Sequence, residues 1–139
     1  MNAIGPSAPA AAILVEVAAG ELIDKITILE IKAERIGCAT KRANVMRELA
    51  HLSAARDQAV AADPRLARLS AELKAVNLTL WEIEDDIREC ERARDFGPRF
   101  VELARSVYRT NDRRAALKRE VNEHLGSSLV EEKSYAAYA

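Results

Sequence analysis

Asn111, Arg114, Lys118 and Asn122 recur at steps of three and four in a helix-forming stretch, which places two cations and two amides on one face. Such a face can take an anion, with the guanidinium and ammonium as charge and the amides as neutral donors. The face begins as an ordinary core stripe, Phe100, Leu103 and Val107, and Leu125 restores apolarity at its end. The buried direction of this helix therefore turns polar for about three turns. If the chain folds back at Gly97-Pro98, the residues opposite are Asn77, Leu80, Trp81 and Glu84. The only tryptophan, an amide and a carboxylate then converge on the two cations. Unpaired burial of such groups costs several kcal/mol each, so they must pair, meet water or meet a ligand. One arrangement is a Glu84–Arg114 ion pair with Trp81 stacked on the guanidinium. A second is a cleft for a small anionic ligand, and a third is a polar interface.

A second set comes from Gly20 to Ile36, which has helix periodicity but apolar residues on every side. Leu22, Ile26, Leu29, Ala33 and Ile36 form one stripe, while Ile23, Ile28 and Ile31 project elsewhere and seven ionisable residues lie between them. A surface helix is apolar on one face only, so this one is expected to have neighbours on several sides. Glu30 borders the stripe between Ile23 and Ile26, and Arg114 or Lys118 would be its natural counterion. A carboxylate in an apolar surround also has a raised pKa, the property of a general acid or base, but no nucleophile is paired with it. Lys25 and Lys32 share another line of the same helix. The candidate ligand or interface set is Lys25, Glu30, Asn77, Trp81, Glu84, Tyr108, Asn111, Arg114, Lys118 and Asn122. No catalytic residue is assigned.

Several chemistries lack their residues. There is no glycine-rich phosphate loop, no GxSxG, no HExxH and no spacing that suits a metal, so no cofactor or metal is expected. His51 and His124 are isolated. Cys38 and Cys90 form no CxxC pair and are read as reduced packing residues of a cytoplasmic protein. The net charge of −1 gives no global field toward nucleic acid or an anionic membrane. Arg105, Arg109 and Arg113 form an outward stripe that could touch phosphates, but no aromatic platform accompanies it, and nucleic acid is not an expected partner. No run approaches the roughly 18 apolar residues of a membrane helix.

The elements that must position these residues are helical. Residues 1–12 are rich in Ala, Pro, Gly and Ser and read as a disordered tail before a single helical domain over 13–139. Ile13 to Val17 is β-branched enough for a short strand. Helices are expected over about Gly20–Ile36, closed by Gly37, and about Lys41–Ala61, with a weak stripe of Val45, Leu49 and Leu52. A third runs from Pro64, capped by Asp63, to about Asp95, with a coiled-coil-like seam from Leu66 to Cys90. A fourth spans Pro98–Leu125 and is closed by Gly126. The third and fourth form a long antiparallel hairpin, and the first two pack on it. The tail is either a last short helix, with a Ser128–Glu131 capping box, or an extended segment pairing with Ile13–Val17. Six acids and one arginine from Glu82 to Glu91 are expected to lie beside the basic start of the fourth helix.

The segments GELIDKITILEIKAERI (20–36), LWEIEDDIRECE (80–91), FVELARSVYRTNDRRAALKREVN (100–122) and SLVEEKSY (128–135) together resemble a family of short bacterial proteins catalogued as a domain of unknown function. The resemblance runs from about Val15 to Tyr138. It implies a small, largely helical protein and supplies no activity, cofactor or catalytic residue. In that family a hydroxylated residue precedes the GEL, where this chain has Ala18 and Ala19. Helical chorismate mutases share an ID-containing first helix ending in an ER pair, but the arginine they place near its start is replaced here by Gly20 and Glu21.

The function expected is a non-enzymatic interaction or scaffolding module, forming a homodimer through the seam of the third helix and the polar stretch of the fourth. The alternative is a protein or enzyme that holds an anionic metabolite in a polar cleft between the first, third and fourth helices.

Overall fold

The computed structural model describes residues 12–138 and is all-α, with helices α1 (Ala19–Arg35), α2 (Ala39–Ala59), α3 (Pro64–Arg92) and α4 (Pro98–Leu125). The disordered tail expected over residues 1–12 lies, apart from Ala12, outside the described residues. Both ends of α4 and the start of α3 fall where the sequence places them, and the other helix ends differ by one to three residues, as fraying last turns allow. Asp63 caps α3 by accepting the Leu66 N–H at 2.7 Å, and Pro64 takes the first helical position. Gly126 closes α4 in the left-handed region (φ 64°), where the Ser127 N–H reaches back to the Asn122 carbonyl at 2.9 Å. Gly37 does not close α1 in this way. The helix ends at Arg35, and the extended backbone of Ile36 leads through Gly37 and Cys38 into α2.

Helices α3 and α4 form the expected hairpin and pack together most extensively. The core lies at its open end, where Leu66, Leu69 and Leu73 of α3 meet Leu117 and Val121 of α4 and Ile23 of α1. Each of the other three helices packs against α1, whereas α2 packs against α1 alone. The apolar residues on all sides of α1 follow from this position. Gly20, Ile23, Asp24, Thr27 and Ile31 are buried on the side turned to the hairpin, and Ile26 and Leu29 are also buried. On the opposite side Lys25 meets Glu48 of α2 at 3.2 Å, and the Ala33 carbonyl accepts from Arg42. Helix α2 buries only Val45, as its weak stripe foretells.

Two expectations fail at the ends of the chain. Ile13–Val17 forms no strand, and its apolar residues are exposed. A strand needs an edge to pair with, and none exists among the described residues. The C-terminal tail is neither helix nor strand. It folds back along α4 through side chains: Glu131 to Lys118, Glu132 to Arg119, and the Tyr138 hydroxyl to Asp112. With Glu131 bonded to Lys118, its carboxylate is not available to close a capping box on Ser128.

Candidate functional site

The polar stretch of α4 meets α1 rather than α3. Arg114 donates from Nε and Nη2 to the two carboxylate oxygens of Asp24, at 2.9 and 2.5 Å. Asp24 is 1% exposed, while the Arg114 side chain keeps 28% of its surface. Asn77 of α3 completes the centre, with its amide nitrogen 2.9 Å from Asp24 Oδ1 and 2.9 Å from the Thr27 hydroxyl. The Thr27 hydroxyl donates back to the Asp24 carbonyl at 2.7 Å. The hydrogen bonds that Arg114 donates to Asp24 raise its pKa above the ordinary arginine value, against the opposing effect of burial. A fork of this kind fixes position as well as charge.

One turn along α4, Lys118 is buried with its ammonium 2.8 Å from Glu21 and 2.9 Å from Glu131. Burial pulls its pKa down, but the two carboxylates together outweigh this and hold it above the usual lysine value. Lys118 in turn holds the Glu131 carboxyl below its ordinary range. Asn122, also buried, accepts the Gly20 N–H at 2.6 Å and so satisfies one of the orphan donors at the start of α1. Ser127 accepts the Ala19 N–H in the same role, which explains how α1 begins without a capping side chain at Ala18. Gly20 is required by the crossing: a Cβ there would lie 2.3 Å from the Lys118 carbonyl oxygen.

The ten candidate residues therefore fall into four places. Asn77, Trp81, Glu84 and Arg114 line one groove of about 360 Å³, floored by Ile28, Ile31 and Leu80 between α1 and α3. Lys118 and Asn122 serve the α1–α4 crossing. Tyr108 and Asn111 line a groove of about 960 Å³ between α4 and the tail, where the Tyr108 ring meets Tyr138 edge-on at 4.8 Å. Lys25 and Glu30 lie apart from all of these. Lys25 faces α2, and the half-buried Glu30 adds its charge to that of Glu34 beside Lys74 of α3.

Two expected pairings are corrected. The carboxylate of Arg114 is Asp24, not Glu84 or Glu30; Glu84 pairs instead with Arg88 on its own helix at 3.4 Å. Lys118 takes Glu21 and Glu131, not Glu30. The reason is rotational: Asp24 and Arg114 share the inward direction, while Glu30 is turned toward Lys74. The residues missed were Gly20, Asp24, Thr27, Glu21 and Glu131. A signal for three of them was present, since Gly20, Asp24, Thr27 and Ile31 recur at steps of four, three and four, a small and polar line within an apolar helix.

The charged surface is mostly paired locally. Arg105 and Arg109 share Glu102, and Arg113 reaches Glu72 at 3.6 Å, so each arginine of the outward stripe has a carboxylate. The expected complementarity across the far end of the hairpin comes to one bridge, Arg99 to Asp86 at 3.8 Å. Among the described residues no group of three or more His, Cys, Asp or Glu is placed to hold a metal ion, and no helix is long and apolar enough to cross a membrane.

These features define a helical protein organised around one bidentate ion pair and a central helix packed on both sides. The chain belongs to a family of unknown function, DUF6165, which matches residues 13–138. No curated protein and no solved structure shows significant similarity to it.

Proposed function

We propose that the chain is a non-enzymatic protein-interaction module that presents the Trp81 groove to a partner in the cytoplasm. One observation carries this reading: the polar centre is closed. No buried side-chain nitrogen or oxygen among the described residues lacks a hydrogen-bond partner, so the buried groups of the centre are already matched within the chain. The groove beside it is open, with Trp81 half-buried over Ile28 and Leu80 and charged residues at its rim. An aromatic anchor in an apolar depression with a polar rim is the usual anatomy of a protein interface. The cytoplasmic placement rests on two unpaired cysteines, Cys38 and Cys90.

The alternative reading, an anionic metabolite held between α1, α3 and α4, is favoured by the presence of Asn77 and Arg114 in the same groove. It is the weaker reading, because Asp24 already takes the Nε–Nη2 edge of Arg114 and supplies its counter-charge.

The test is a comparison of the proteins retained by tagged wild-type chain and by Trp81→Ala from an extract of its own cells. A partner kept by the wild type and lost by the variant supports the proposal. Binding of small anions that raises Tm in the wild type and not in Arg114→Lys would overturn it in favour of the metabolite reading.

A further inference from the structure

Trp81 and Asp85 stand one turn apart on α3, and both line the groove floored by Ile28, Ile31 and Leu80. Neither has the partner that its chemistry invites. The Trp81 ring is half-buried, and no lysine or arginine among the described residues lies over it. Asp85 is exposed and forms no ion pair among the described residues. The cations nearby are engaged elsewhere. Arg88 is held by Glu84 at 3.4 Å, Arg35 by Glu82 at 3.7 Å, and Arg114 by the buried Asp24. Each cation that lines the groove thus has its own carboxylate. Asp85 is left over as a negative charge, beside an aromatic ring that no cation covers.

We infer that the partner protein enters this groove with an arginine side chain. A guanidinium is planar and weakly hydrated, so it can lie flat on an indole ring while its edge meets a carboxylate. The spacing of four residues on one helix puts Trp81 and Asp85 within reach of the same side chain. The methylenes of that side chain then cover the apolar floor of Ile28 and Leu80. Charge decides the sign of the occupant. An acidic side chain would meet Asp85 with no free cation to answer it, and an apolar one would leave Asp85 unmatched at the rim. The same balance points to an arginine within a protein rather than to free arginine, since Arg88 and Arg114 are both engaged and neither is left for an α-carboxylate. This inference rests on the reading of the groove as a partner surface and names the residue with which the partner binds.

Trp81 is the only tryptophan, so its emission reports on this groove alone. The probe is N-acetyl-argininamide, titrated at constant ionic strength into the full chain, beside N-acetyl-citrullinamide, which has nearly the same shape and no charge. The argininamide is expected to change Trp81 emission saturably in the millimolar range, and the citrullinamide to bind about tenfold more weakly or worse. Asp85→Asn should weaken argininamide binding about fivefold or more, and Asp85→Glu should restore most of the loss. Glu91→Gln, at another exposed acid of α3 with no tryptophan one turn before it, should leave binding unchanged. Asp85 and Glu91 lie at the surface, and an unchanged circular dichroism spectrum shows that the variants are folded. Equal responses to the two probes, or a response indifferent to Asp85→Asn, overturn the inference. Free arginine that binds about tenfold tighter than the capped form overturns its assignment to a partner protein. If the argininamide fails while the cell extract still yields a protein that Trp81→Ala loses, the interaction-module reading stands and only its arginine anchor is wrong.

Discussion

Asp24 and Arg114, ninety residues apart, are joined by two parallel hydrogen bonds that pin the middle of α1 to the middle of α4. The carboxylate is shut away from water and the guanidinium is not, so removing the two partners has unequal consequences. Arg114→Ala strands a buried carboxylate and is expected to cost about 3 kcal/mol or more. Asp24→Ala leaves a guanidinium that still reaches solvent, with Asn77 losing one acceptor, and is expected to cost about 2 kcal/mol. In urea denaturation the double variant should lose clearly less than the two singles added together. Simple additivity would mean that the pair does not act as a unit.

The crossing of α1 over α4 gives a second expectation. Gly20→Ala introduces a better helix former, by about 1 kcal/mol on propensity alone. The new methyl nevertheless meets a backbone carbonyl that cannot swing aside, and the Gly20 N–H bond to Asn122 is lost if the helices part. The net effect should be a destabilisation of about 1–3 kcal/mol, read as a lowered Tm. A raised Tm would show that the close approach is not real.

Asp63 serves both the first turn of α3 and the end of α4, where His124 Nε2 lies 2.9 Å from Oδ2. Asp63→Ala should cost about 1 kcal/mol, the usual worth of an N-cap. His124→Gln should cost less, since the cap itself remains. Equal losses in thermal unfolding would place the weight on the His124 contact instead.

The tail depends on pH. Lys118 holds the Glu131 carboxyl, and Arg119 the Glu132 carboxyl, below the ordinary glutamate range. A depressed folded-state pKa contributes attachment that is present above the unfolded value, about 4.3, and is lost as pH falls through the folded value. Cleavage within residues 129–138 by an acid-active protease should therefore accelerate below about pH 4, in advance of global unfolding. Glu131→Gln should show the faster cleavage already at about pH 5. A cleavage rate that stays flat from about pH 5 to about pH 3, relative to that of an unstructured reference peptide, would separate the tail from these two pairs.

The helices were legible because periodicity and end signals are local. Asp63-Pro64, Gly97-Pro98 and Gly126 each act on the turn they occupy, and the burial of α1 from several sides could be read from isoleucines around its whole circumference. The site was legible only in part. The polar line Asn111–Arg114–Lys118–Asn122 announced that something must neutralise it, and Asn77 and Trp81 were placed near it by folding the hairpin at Gly97. The identity of the counterions was not legible. A helical wheel gives the direction of each side chain relative to its own axis, but not which neighbour stands in that direction or at what height.

The sequence by itself therefore determined four helices, their breaks, the central burial of α1 and the existence of an internal polar stretch, because each follows from spacing along one helix. Tertiary structure alone decided that Asp24 rather than Glu30 meets Arg114, that Gly20 lets α1 touch the α4 backbone, and that Glu131 returns from the tail to cover Lys118. Those outcomes depend on the rotation and offset of helices about one another. Packing of the Ile23, Leu73, Leu117 and Val121 side chains sets that rotation, and no single segment encodes it.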